Sequence, residues 1–232
     1  ASGSYVGGII GITKTAVSDL SIKGAYVKGS SYTGGIAGQI APAVVTENIT
    51  VGESGYPVYI SGSSRTAGVG YHDRSGSTDT GYLKNAKVRY TYISGGSYTS
   101  GVIMGDWYYY VQNALVDHCY IKGTGGETHG TTGSGTGVQQ SLVVDSKIEG
   151  TSNVSGIGRG QSSSLCHVTV KNTVIKGSGD YIGGIFSNTS AQESAYDAAV
   201  IGCTIEGTGT TSKGIGGIVG RNEGTGAASC YF

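Results

Sequence analysis

The sequence predicts an all-β chain wound as a parallel β-helix of about eight rungs, and three observations predict it. A glycine-rich phrase and a 13-residue block alternate along the 232 residues. Apolar residues within the block alternate with the period of two that marks a half-buried strand. No window carries a helical period, and 44 glycines would penalise a helix throughout.

The block carries most of the argument. It reads VSDLSIKGAYVKG (17–29), LKNAKVRYTYISG (83–95), VQNALVDHCYIKG (111–123), VQQSLVVDSKIEG (138–150), LCHVTVKNTVIKG (165–177) and AYDAAVIGCTIEG (195–207), with a degenerate copy ending in VYISG (58–62). Apolar or small residues fall at positions 1, 4, 6, 9 and 11, as in Leu83, Ala86, Val88, Thr91 and Ile93. The pairs 4–6 and 9–11 predict two short strands, and the three-residue steps between them predict bends.

The glycine phrase, seen as YVGGIIG (5–11), YTGGIAG (32–38), YTSGVIMG (98–105) and YIGGIFS (181–187), supplies a third strand. Segment 124–135 reads as an insertion that displaces the fifth phrase. The closing glycines, Gly29, Gly62, Gly95, Gly123, Gly150, Gly177 and Gly207, are spaced 33, 33, 28, 27, 27 and 30 apart. The rungs are therefore 1–29, 30–62, 63–95, 96–123, 124–150, 151–177, 178–207 and 208–232 of a single domain.

Three short strands cannot bury an apolar face alone, whereas stacked repeats can. The general crossover rule makes the coil right-handed. A β-sandwich of hairpins would call for Asn-Gly or Asp-Gly turns, and neither dipeptide occurs.

Segment GGIVGRNEGTGAASCYF (216–232) resembles the GLUG-type repeat, with its G-G-[LI]-V-G-x-N phrase, Gly-Thr turn and Cys-Tyr. Segments 34–38 and 7–11 keep the first half of that motif, 118–121 keeps the second, and rungs 3 and 5 depart furthest. The resemblance implies repeats of long bacterial surface proteins, set beside adhesive or peptidase modules and carrying no catalytic residues of their own.

The chain begins at Ala1 without an initiator Met, as a processed product, a fragment or part of a longer chain would. Its ends read as in phase: Phe232 falls at block position 11 and Tyr231 at position 10, with Ala1 and Ser2 next at 12 and 13. That phase predicts that copies of the chain continue head-to-tail.

Charge balance, 15 acidic against 15 basic residues, gives no field for nucleic acid or an acidic membrane. No run of 18 apolar residues suggests membrane insertion. Position 10 points outward and holds Tyr26, Tyr59, Tyr92 and Tyr120 on successive rungs, a tyrosine ladder that can bind glycans or a host surface, or merely stiffen the sheet. Trp107, Tyr108 and Tyr109 add aromatic surface in rung 4. A second run, Tyr5, Tyr32, Tyr98 and Tyr181, precedes the glycine phrase.

Position 9 takes Cys119, Cys203 and Cys230. The last two fall within disulfide reach if they lie on adjacent rungs, but free thiols suit a packed stack better. Asn48, Asn153 and Asn188 head glycosylation sequons. No cofactor fingerprint appears, and the histidines fall on different faces, so neither a metal site nor a Ser-His-Asp set is expected. Asp73 and Asp79 near His72 form the nearest approach to a glycan-cleaving carboxylate pair. The expectation is an extracellular or cell-surface rod, stalk or adhesin segment without catalysis, with a glycan-binding surface second and a glycan-degrading enzyme third.

Overall fold

The computed structural model describes residues 3–73, 80–105, 109–133, 136–160, 164–189, 194–209, 213–222 and 226–231. It is a parallel β-solenoid. An eight-stranded sheet, an eleven-stranded sheet and a seven-stranded sheet run the length of the stack, together with a four-stranded and a two-stranded sheet. Among the described residues the paired strands of these sheets run parallel, with like residues in register: Tyr26 lies beside Tyr59, Tyr59 beside Tyr92, and Tyr92 beside Tyr120.

The block divides as its spacing demands. Positions 1 to 6 form strands such as Gly81–Arg89 in the eleven-stranded sheet, and positions 9 to 13 form strands such as Thr91–Gly95 in the seven-stranded sheet. Leu83, Ala86, Val88, Thr91 and Ile93 are all buried. The bends fall at positions 3 and 8, and both adopt left-handed backbone. Position 3 holds Asp19, Asn48, Asn85, Asn113, Gln140, His167 and Asp197, with φ between 51° and 57°. Position 8 holds Gly24, Tyr90, His118, Asp145, Asn172 and Gly202, with φ between 46° and 61°. Asn, Asp and Gly tolerate this conformation best because their local cost is smallest.

The glycine phrase makes two strands rather than the one expected, as in Tyr32–Gly34 and Ala37–Ile40. Each rung therefore has four sides. Between the two strands lies a position where a side chain cannot fit: a Cβ on Gly35 would stand 2.2 Å from the carbonyl oxygen of Gly68. The segment expected to be an insertion is itself the fifth phrase. Tyr98, Thr99 and Ser100 pair with Glu127, Thr128 and His129, and Gly130 takes the glycine position. Its sequence looked foreign because only that glycine is strictly required.

Inside, one apolar cluster runs from Val27 to Val200. An inward column of Thr33, Thr66, Thr99 and Thr128 is fully buried. It explains the closing glycines, since a Cβ on Gly95 would lie 2.2 Å from Thr99 Oγ1.

The register of the last rung corrects the phase expected for the end. Cys230 pairs with Ala198 and Tyr231 with Ala199, so they occupy positions 4 and 5 rather than 9 and 10. Chain length decides this. Ile215 pairs with Ile182, and 15 residues separate it from Cys230, against 16 from Ile182 to Ala198 and 21 from Ile182 to Cys203. Tyr231 therefore leaves the tyrosine ladder, and Cys230 does not sit over Cys203. Phe232, Ala1 and Ser2 lie outside the described residues. None of the four cysteines forms a disulfide.

Candidate functional site

The outer face of the seven-stranded sheet carries the expected aromatic strip. Outward position 10 aligns Tyr26, Tyr59, Tyr92 and Tyr120, followed by Lys147, Val174 and Thr204. The rings of Tyr26 and Tyr59 stack at 4.6 Å and 7°, and those of Tyr59 and Tyr92 at 4.9 Å and 9°. Tyr120 closes the ladder edge-on, 6.3 Å from Tyr92 at 90°. Its hydroxyl donates to the Glu149 carboxylate and Lys147 Nζ sits 5.3 Å from its ring centre. Burial, then the Glu149 carboxylate, pushes the Tyr120 phenol up to about 12.

This geometry decides what the strip can present. Both faces of Tyr59 are covered by neighbouring rings, so it offers edges and a hydroxyl. Tyr26, 82% exposed, has the freest ring. Beside the ladder, position 12 aligns Lys28, Ser61, Ser94, Lys122, Glu149, Lys176 and Glu206. Two shallow grooves follow these columns. One of about 270 Å³ is lined by Tyr26, Tyr59, Tyr92, Lys28, Ser61 and Ser94. The other, about 360 Å³, is lined by Lys122, Glu149 and Lys176 with the hydroxyls of Thr124, Thr151, Ser178 and Thr208. Among the charges of position 12, Lys176 pairs with Glu206 at 3.0 Å, and Glu149 pairs with Lys147 of position 10 at 2.6 Å.

Tyr109 does not belong to this strip. It is fully buried, because Gly81 on the rung below leaves room that its ring fills: a Cβ there would meet the ring at 2.6 Å. Tyr109 stacks on buried His72, with ring centres 4.2 Å apart. Trp107 and Tyr108 lie outside the described residues.

The second tyrosine run is one column: Tyr5, Tyr32, Arg65, Tyr98 and Glu127 pair in succession. The Arg65 guanidinium lies 5.4 Å from the Tyr32 ring centre, and 5.2 Å from those of Tyr71 and Tyr98. It is a cation held among aromatic faces. Asp73 accepts from Gln39 Nε2 at 2.5 Å, while Asp79 lies outside the described residues.

One constellation escaped the sequence. His129 Nδ1 lies 2.8 Å from Ser155 Oγ, and His129 Nε2 lies 3.6 Å from Glu127 Oε2. Arg159 Nη1 binds the other Glu127 oxygen at 2.6 Å. The order Ser, His, Glu resembles a hydrolytic set, but Ser155 and His129 are 0% exposed and the Ser155 hydroxyl donates to the Gly158 carbonyl at 2.8 Å. A nucleophile must instead give its proton to the imidazole. Burial alone would raise the Glu127 carboxyl; His129 and Arg159 outweigh it and hold it at about 2. The set is a buried polar network built on the Glu127–Arg159 ion pair. The only early sign was Glu127 and His129 falling two apart within the atypical fifth phrase.

Asn48 and Asn153 hold bend positions with φ of 56° and 50°. Asn48 Nδ2 donates to Asp19 Oδ1 at 3.0 Å and Asn153 Nδ2 to the Gly126 carbonyl at 3.2 Å. Asn188 pairs with Arg221 in the two-stranded sheet.

No protein-family model matches the chain, and no curated protein does. The chain is similar in structure to a protein of Bacteroides ovatus, solved by crystallography, whose designation as an immunoglobulin A1 protease is itself an assignment. The TM-score is 0.55 at 13% identity, covering 92% of this chain and 67% of that one. At that identity the likeness establishes the shared solenoid fold and nothing about activity.

Proposed function

We propose that this chain is a non-catalytic rod, serving as a stalk, fibre or adhesin segment of an extracellular or cell-surface protein. The observation that carries this reading is continuity of register. The column from Lys28 through Ser61, Ser94, Lys122, Glu149 and Lys176 to Glu206 runs rung upon rung without a slip. Such a stack bears load through main-chain pairing and presents side chains about 4.8 Å apart. The GLUG-type resemblance of 216–232 points the same way.

Head-to-tail stacking of copies extends the proposal. The core column of Ile36, Val69, Val102, Ile157 and Ile185 is at most 1% exposed, whereas Ile9, its first member, is 45% exposed. Another rung would cover it. Electron microscopy of the isolated chain tests this: the proposal expects filaments one rod wide, and a strictly monomeric rod at high concentration rejects self-stacking.

The second reading is a carbohydrate-binding face, favoured by the tyrosine-lined groove over Tyr26, Tyr59 and Tyr92. Glycan-array binding lost in Tyr92→Ala/Tyr120→Ala would support it. The designation of the Bacteroides ovatus protein raises a peptidase reading for this chain as well. The burial of Ser155 and His129 argues against it, and the proposal expects no cleavage of immunoglobulin A1.

A further inference from the structure

A column of left-handed bends brings together three metal-ligating side chains that the sequence scatters. His118 and Asp145 both occupy position 8, on adjacent rungs, with φ of 53° and 48°. Asp117 precedes His118 in the chain. One ligand atom from each of Asp117, His118 and Asp145 lies within 4.8 Å of the other two. We propose that these three residues form a binding site for a divalent transition-metal cation of the zinc type.

Three arguments beyond proximity support the site. The donor set is mixed, one imidazole nitrogen and two carboxylates, which suits zinc, copper or nickel better than calcium or magnesium, which take all-oxygen shells. Each ligand is also held from outside the set by a neighbouring residue. Arg89 Nε donates to Asp117 Oδ2 at 2.8 Å, Asn172 Nδ2 donates to Asp145 Oδ1 at 3.1 Å, and the Tyr90 ring stacks on His118 at 4.9 Å and 22°. Such outer partners orient ligands and sharpen affinity. Finally, two of the three ligands, His118 and Asp145, open onto a cleft of about 400 Å³ that Tyr120 and Lys147 also line. A metal there keeps a solvent-facing position for water or a ligand donor.

In the chain as it stands, His118 Nδ1 and Asp117 Oδ1 are 2.5 Å apart. Arg89 keeps its oxygen of Asp117 throughout, and its charge restrains affinity. His167 and Asp197, 2.7 Å apart in the position 3 column, offer two donors without a third among the described residues and serve as the control.

Titration calorimetry of the intact chain with Zn²⁺ tests the proposal, with Co²⁺ absorption reporting the coordination. One equivalent is expected to bind. Affinity should fall at least about tenfold in both His118→Ala and Asp145→Asn, and stay unchanged in His167→Ala, with circular dichroism preserved. Failure of the wild type to bind a stoichiometric equivalent, or affinity indifferent to both substitutions, overturns the site. If His118→Ala fails to fold, Asp145→Asn, which keeps the side-chain volume, decides alone.

Discussion

Gly68 stands so close to Gly101 that a Cβ on the first would lie 2.0 Å from the carbonyl oxygen of the second. The same relation links Gly101 to Gly130, at 1.9 Å, and Gly130 to Gly156, also at 1.9 Å. The obstructing atom is backbone each time, so no rotamer change relieves it. Gly101→Ala should therefore cost about 3 kcal/mol or more. Gly126→Ala, whose new Cβ would meet nothing nearer than 3.9 Å, should shift stability by less than about 0.5 kcal/mol. Denaturant midpoints of the two variants check the contrast.

The bends at position 3 carry a ladder of amides. Asn85 Nδ2 donates to Asn48 Oδ1 at 3.0 Å, and Asn113 Nδ2 donates to Asn85 Oδ1 at 2.9 Å. Asn85 holds φ 55°. Asn85→Ala loses both bonds and takes a Cβ-bearing residue without a local amide into left-handed backbone, at about 2 kcal/mol. Asn85→Gly loses the bonds but relieves the backbone, and should cost about half as much. Thermal unfolding of both variants separates the two contributions.

Acid should loosen the rod in two windows. His72 is buried with no hydrogen-bond partner for either ring nitrogen among the described residues, and burial lowers its pKa from 6.5 to about 4, against a smaller opposing effect of Asp73. The unfolded chain therefore takes up the proton first. Stability is full above pH 6.5 and falls towards pH 4, by up to roughly 3 kcal/mol. His72→Phe keeps the stack on Tyr109 and should flatten this limb. Unfolding free energies measured from pH 7 to pH 4 test it.

The second window lies lower. The Glu127 carboxylate, held at about 2 against an ordinary 4.5, stabilises the fold above pH 4.5 and loses that contribution as pH falls towards 2. Glu127→Gln leaves Arg159 without its carboxylate and should cost about 3 kcal/mol at pH 7. Only near pH 2 and below should the variant and the parent converge.

Stacking within the ladder is measurable by a double-mutant cycle. Tyr26→Ala and Tyr59→Ala should couple by about 0.5–1.5 kcal/mol, because their rings lie 4.6 Å apart. Tyr26→Ala with Val174→Ala, five rungs away in the same column, should be additive.

Most of the fold was legible because a solenoid repeats its instructions. Leu83, Ala86, Val88, Thr91 and Ile93 declared the inward face, and the three-residue gaps declared both bends. Two features were hidden for a physical reason. Tyr109 reads as surface in DWYYY, but its place is set by the absence of a side chain at Gly81, 28 residues earlier. The phase of Cys230 and Tyr231 followed a local likeness to HCYI, whereas the backbone counts residues from Ile215. Sites built across rungs were the least visible, since Ser155 meets His129, and Asp145 meets His118, only once the rungs are stacked.

The central claim is that equivalent residues climb one axis in register, and distances between spin labels test it most directly. With one label at Lys28 and the other at Lys122, Lys176 or Glu206, electron resonance should give separations near 14, 24 and 29 Å, growing by about 4.8 Å for each rung crossed. Separations that fail to rise with rung number, or that rise and then shorten, would contradict a single parallel solenoid.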